Sequence, residues 1–459
     1  LEQVKGKVIP LTSQIYDVFE TTPDSVIAQA VENKLAHGIT PVILYVVEED
    51  VAGNLSAIMK SLAKLAKGNF KFEDWSTAMV LAGGDGKRNY AMTASDGLGN
   101  KGLVAGLNGE ANLYQAIIQS LQLLPSGTKG LVSLPVDRPL AIGHDISEQL
   151  GRQDIQIIGS AISPLHPEWD YYGKVRVDEE GNLLALLKRK SEEEAAYLAE
   201  HQDWSHYPAN NLTCYYLSPQ AIRRFISTDT DPVEEGPDVR RKDQDLNQDV
   251  GKKPKVIAAM GLSLGYVDTG KETFFTDLGS NQRYYDDAQL LLNNPILRQL
   301  VGFAAARPES IISEQTTLGD GVVVEPGAVI LGVNNIPAGR IAAGSVIINV
   351  RNVRSLIAEP GSMAVAINAP DQDFIATTGN LITQVSLVDP LQVITVSQAI
   401  SLDPKSVWTE PLYEGVSFVG MKERLNREDT WQKRQPVDPA RPLPGEPMLA
   451  NVDLPVTAL

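Results

Sequence analysis

The chain carries a single cysteine, Cys214, which excludes an internal disulfide and any metal site built on a cysteine cluster. Histidine is scarce too. There are five, and none lies beyond His206, so chemistry that needs a histidine base in the C-terminal half, such as acyl transfer, is not expected. No run of about eighteen apolar residues occurs, so no membrane-spanning helix is expected. The first segment, LEQVKGKVIPLTSQIYDVFE, lacks the apolar centre of a secretory signal, and a cytoplasmic location is the expectation. Positive charge is in deficit. With a formal net charge of −17 the surface repels a phosphate backbone, which argues against nucleic acid as a partner. A small anion in one cleft remains compatible, because local lysines and helix N-termini set the field there.

What is present follows an α/β order. At 459 residues the chain exceeds one core and predicts two or three domains. The spacing of Ile27, Ala30, Val31 and Leu35 predicts a helix over 24–38, and PVILYVVEED (41–50) reads as a buried parallel strand. AGNLSAIMKSLAKLAKG (52–68) is an amphipathic helix with Leu55, Ile58, Met59, Leu62 and Leu65 on one side. STAMVLAGG (76–84) is a second buried strand, completing a βαβ unit. A helix over 111–124 follows, then strands over 129–137, 154–163 and 212–218, a hairpin over 171–190, and a strand and helix over 273–293. The segment 227–255 is polar and reads as a surface excursion. After about residue 308 apolar residues recur every six positions, at Ile312, Leu318, Val324, Ile330, Ile336 and, imperfectly, Ala342. That period predicts a β-solenoid, in which the apolar marks stack inward from coil to coil.

The chemistry-bearing stretch is LAGGDGKRNYAMTASDGLGNKG, from Leu81 to Gly102, with six glycines and three basic residues. Glycines let backbone amides approach phosphate oxygens with no Cβ in the way, and Arg88 and Lys101 can neutralise charge on a transferred group. A structural turn between strand and helix is the plain alternative. The motif LAGGDGKR with its later lysine resembles the signature of the sugar-phosphate nucleotidyltransferases, and the order of elements agrees over about 76–295.

The resemblance implies attack by a sugar 1-phosphate on the α-phosphate of an NTP, releasing pyrophosphate. It assigns Leu81, Ala82, Gly83, Gly84, Asp85, Gly86 and Lys87 to the nucleotide, and Arg88 and Lys101 to catalysis. Asp137, closing GLVSLPVD, and Asp277, in FFTDLGS, fall on the family's two Mg2+-binding aspartates; Asp268 in YVDTGKE is a rival for the second. Gly173, Lys188 and Arg189 of the hairpin and Asn211 of NLTCYYLSP fall on the sugar-phosphate positions. Three departures stand out: Asn100 replaces the proline before the lysine, Lys87 replaces a common threonine, and only one helix separates Lys101 from Asp137.

The implied architecture is a Rossmann-like (GT-A type) nucleotidyltransferase domain followed by a left-handed parallel β-helix. Its parts are an N-terminal extension (1–75) that adds a strand and a helix to the sheet, a catalytic domain (76–300), a β-helix (308–405) and an extended proline-rich tail (406–459). A homo-oligomer through the β-helix is expected. A catalytically silent relative that binds a nucleotide sugar or assembles other enzymes is the alternative function.

Overall fold

The structure, a computed structural model, describes residues 8–13, 42–47, 58, 62, 76–81, 86–97, 99–102, 104–109, 112, 116, 129–137, 140–141, 145–160, 174–187, 196, 199–200, 211–227, 261–270, 273–275, 278–301, 303, 308–427 and 429. The strands before the solenoid are β1 (Val8–Ser13), β2 (Val42–Val47), β3 (Ser76–Leu81), β4 (Gly130–Pro135), β5 (Leu140–Ala141), β6 (Ile155–Gly159), β7 (Lys174–Val177), β8 (Leu183–Leu187), β9 (Asn211–Leu217), β10 (Leu264–Asp268) and β11 (Phe274–Phe275). Seven of them form one mixed sheet in the order β10-β6-β9-β4-β3-β1-β2. β9 runs antiparallel to both neighbours, and every other pairing is parallel. Strands covered on both faces are expected to be largely apolar, and all six residues of β4 and all five of β6 are buried, Ser133 and Gln156 being their polar members.

The strand read at 41–50 lies in the same sheet as the strand of the glycine loop, but not beside it. β1, which the sequence reading lacks, stands between β2 and β3 and pairs in parallel with each. Ile58 and Leu62 of the expected helix over 52–68 are helical and fully buried, one turn apart. The helix expected over 24–38 and the excursion from 228 to 255 lie outside the described residues.

From Ile311 the chain winds into a β-solenoid of about four turns, over residues 311–383. One wall is formed by β12 (Ile311–Ile312), β14 (Val329–Leu331), β16 (Val346–Ile348), β18 (Met363–Val365) and β20 (Asn380–Leu387), with β21 (Gln392–Ala399) returning antiparallel at its edge. The other is formed by β13 (Thr317–Val324), β15 (Asn334–Ile341), β17 (Ser355–Ala358) and β19 (Asp373–Ala376). Stacking joins Ile312, Ile330, Ile347, Ala364 and Ile382 in register, and the two inner steps are each one residue shorter than the first and the last. That shortening explains the decay of the six-residue count. Ile341, and not Ala342, pairs with Val324, so the phase slips after Ile336. Ile312 stacks in register with Ile330 and is 47% exposed in the first coil.

Helices whose full span is among the described residues include α1 (Tyr90–Ser95), α2 (Pro219–Ser227), α3 (Asn281–Leu290), α4 (Pro295–Leu300) and α5 (Phe418–Arg424). Strands β14, β16 and β18 of the first wall are buried on both faces. Ile330 and Ile347 belong to the solenoid interior, whereas Val329, Leu331, Val346, Ile348, Met363 and Val365 share a second core with α1, α3 and α5. No described helix is long and apolar enough to cross a membrane.

Candidate functional site

The carboxyl ends of parallel strands β3 and β4 lie side by side, with Leu81 in register with Pro135. In open α/β sheets that edge is where ligands bind. Gly86 follows β3 in the left-handed conformation, φ +57°. Only glycine fits there. A Cβ would stand 2.5 Å from Thr93 Oγ1, 2.7 Å from Asn89 Oδ1 and 3.4 Å from the Cβ of Lys101. A helical turn, Lys87–Asn89, comes next and carries half-buried Arg88. Asn89 ties the turn across the site, because its Nδ2 donates to the Leu278 carbonyl at 3.0 Å while its Oδ1 accepts from Thr93 Oγ1 at 3.0 Å. The Lys87 ammonium stands 5.3 Å from the centre of the Trp408 ring, a cation–π contact.

Lys101 and Asp137, both singled out by the one resemblance, form an ion pair of 2.9 Å between Nζ and Oδ1, with both side chains largely shielded. The route to Lys101 is fixed by a turn in which Asn100 N–H donates to the Gly97 carbonyl and Asn100 Oδ1 accepts from Gly102 N–H, each at 2.7 Å. A proline at 100 has no N–H for the first bond and no amide for the second, which is the physical reason for the departure from the signature. Asn112 holds the other side of the lysine, donating from Nδ2 to the Lys101 carbonyl at 3.2 Å.

The Asp137 main chain meets the segment of the second aspartate. Leu278 N–H donates to the Asp137 carbonyl at 3.0 Å, and β11 pairs antiparallel with β5, Phe275 opposite Leu140. Asp277 itself lies outside the described residues, but its flanks on both sides are thus tied to the chain at 137–140. The rival Asp268 ends the edge strand β10, three strands from β4, and its Oδ1 accepts from Gly270 N–H within its own turn.

Ala82, Gly83, Gly84, Asp85, Gly173, Lys188 and Arg189 also lie outside the described residues. Leu81 and Asn211 are described as backbone, in β3 and at the start of β9, where Asn211 is in register with Gly159. Gly86, Lys101 and Asp137, together with the flanks of Asp277, are therefore brought together beyond the ends of β3 and β4, and Arg88 lies two residues after Gly86 in the adjoining turn. The residues that sequence reasoning missed are Asn89, Asn112, Asp96 and Trp408. Asn89 and Asp96 find partners 189 and 253 positions away, Trp408 meets Lys87 from the far end of the chain, and only the asparagines' preference for turns hints at any of them. Chemically, a cation beside a carboxylate under a glycine turn can pair a phosphate with one group and a hard cation with the other.

No protein-family model matches the chain, and no curated protein matches it.

Proposed function

We propose that the protein transfers a nucleotidyl group from an NTP to a sugar 1-phosphate and releases pyrophosphate, with Mg2+ as cofactor. The observation that carries this reading is the 2.9 Å pair of Lys101 and Asp137, beyond the carboxyl ends of adjacent parallel strands and against the glycine of the signature loop. Two residues 36 positions apart, which the resemblance assigns to catalysis and to the metal, lie within hydrogen-bond reach of each other, and this supports the reading. The seven-stranded sheet is, in this reading, the Rossmann-like (GT-A type) catalytic core. The solenoid is a left-handed β-helix, supported by coils whose length is close to three of the six-residue units, and it joins copies into a homo-oligomer.

Each residue then has a task. Backbone amides of the loop from Leu81 to Lys87 hold the nucleotide phosphates, and Arg88 and Lys101 hold the α-phosphate in line and take up the charge that develops on it. Gly173, Asn211 and one of the neighbours Lys188 and Arg189, which would face opposite ways on a strand, receive the sugar phosphate. The donor set fits Mg2+, a hard cation that prefers carboxylate oxygen: Asp137 offers one carboxylate, and Asp277 would supply the second. When bound, Mg2+ neutralises phosphate charge.

The test is pyrophosphate release with Mg2+, each NTP and a panel of sugar 1-phosphates. Turnover with one pair supports the enzyme. A nucleotide-dependent rise in melting temperature without turnover supports the silent binder, and neither response overturns both.

A further inference from the structure

The segment that delivers Lys101 is gripped from behind by the solenoid. Asp96, fully buried after α1, accepts from Ala105 N–H through Oδ2 at 2.6 Å and from Asn349 Nδ2 through Oδ1 at 2.7 Å. One carboxylate thus closes the loop 96–105, which carries Lys101 near its middle, and fastens it to a solenoid corner. The loop is also held from α3, whose Tyr284 hydroxyl donates to the carbonyls of Ala105 and Gly106 at 2.8 and 3.1 Å. The neighbouring Tyr285 hydroxyl donates to the Gly344 carbonyl of the solenoid at 2.6 Å.

The corner itself shows why an asparagine stands there. Gly332, Asn349 and Ala366 occupy the same place in three successive coils, with φ of +61°, +50° and +48°. Two of them use the same bond to the coil before, Asn349 N–H to the Leu331 carbonyl and Ala366 N–H to the Ile348 carbonyl, each at 2.9 Å. The corner therefore forms with glycine, asparagine or alanine and does not call for an amide. The amide occurs in the coil that meets Asp96, where a buried carboxylate needs a donor. Gly332 leaves room for it: a Cβ there would lie 2.4 Å from Asn349 Oδ1.

We infer that Asn349 is a positioning residue for Lys101, acting through Asp96, so that the solenoid sets the geometry of the cleft in the sheet. The inference rests on reading the Lys101–Asp137 pair as the reacting site. Asn349→Gly keeps the left-handed corner and deletes the amide. Displacing the loop is expected to lower kcat by about 10²-fold with a much smaller change in the KM for NTP. Lys101, no longer held against Asp137, is expected to react faster with acetic anhydride, read by mass spectrometry against the other lysines.

Asn352→Gly is the control for the corner alone: Asn352 has φ +49°, and its amide bonds Asn335 and Asn368 at another edge. The exchange Asp96→Asn with Asn349→Asp restores a donor–acceptor pair and is expected to return turnover and Lys101 labelling toward wild type. Asn349→Gly that folds and matches Asn352→Gly in both readouts overturns the inference. Should Asn349→Gly not fold, the exchange decides: Lys101 labelling like that of wild type supports the inference, and labelling like that of Asn349→Asp alone overturns it. If wild type shows no turnover with any pair, the proposed function fails, while the labelling still decides whether Asn349 positions Lys101.

Discussion

Lys101 and Asn100 are neighbours with separate duties, one chemical and one architectural. Lys101→Met keeps the length of the side chain and removes its charge. In the proposed reaction this lowers turnover by about 10²–10³-fold, the usual effect of deleting one group that stabilises developing charge. Steady-state pyrophosphate release checks it. Asn100→Pro restores the residue of the signature and is nevertheless expected to destabilise. It deletes the bond from Asn100 N–H to the Gly97 carbonyl, and Asn100 is buried. A buried acceptor left without its donor costs about 1–3 kcal/mol, readable as a shift of the urea midpoint. A signature residue is thus good or bad according to the hydrogen bonds of the loop that carries it.

At the scale of elements, α1 shows what holds the long signature loop. Its six residues, YAMTAS, are all buried, although nothing in that short polar-and-small string has the period of a buried helix. Tyr90 packs edge-on to Trp408, ring centres 4.9 Å apart, and to Phe418 at 6.1 Å; Phe418 also stacks on Trp408 at 6.0 Å. Phe418→Ala opens this cluster and is expected to cost about 3–5 kcal/mol in denaturant unfolding, the range for a large buried ring. These aromatic partners of α1 belong to the segment beyond the solenoid, so no local pattern could have announced it. β1 was illegible for a different reason. Pro10 lies in the middle of it, and a proline argues against an internal strand. By contrast β2, β3, β4 and β6 were legible as largely apolar runs, and β4 and β6 are buried along their whole length. The solenoid was legible only while its coils kept three full six-residue units; once the chain dropped a residue after Ile336, stacking in register continued while the sequence count lost phase. Lys101 and Asp137 were legible from motifs, whereas their pairing and the asparagines around them required the folded chain.

Across the whole molecule one core unites parts that the sequence reading treats as separate domains: Tyr90 and Met92 of the signature loop, Tyr284 and Ala288 of α3, Val346 and Met363 of the solenoid, and Phe418 and Met421 of the C-terminal helix. Elements sharing one close-packed interior lose stability together, so perturbations on either side reach the same unfolding transition. Four tyrosines offer such a perturbation. Burial raises the hydroxyl pKa of Tyr216, to about 12, of Tyr266, well above the ordinary value, and of Tyr285 and Tyr413. The carboxylate of Asp154 adds to the shift of Tyr216, and that of Asp268 to the shift of Tyr266. Tyr216 and Tyr266 sit in the sheet, Tyr285 on α3 against the solenoid, and Tyr413 beside Phe418. A tyrosine whose folded pKa exceeds its unfolded value near 10 contributes its full stability below pH 10. That stability is lost as the unfolded chain, but not the folded one, releases the proton. The melting temperature is therefore expected to hold level up to pH 10 and to fall between pH 10 and 12, through one transition seen alike by far-ultraviolet circular dichroism and by tryptophan fluorescence. Tyr216→Phe removes one of the groups and is expected to make the fall shallower. An unchanged slope in that variant, or two transitions separating with pH, would show that the alkaline loss has another origin and that the sheet and solenoid unfold apart.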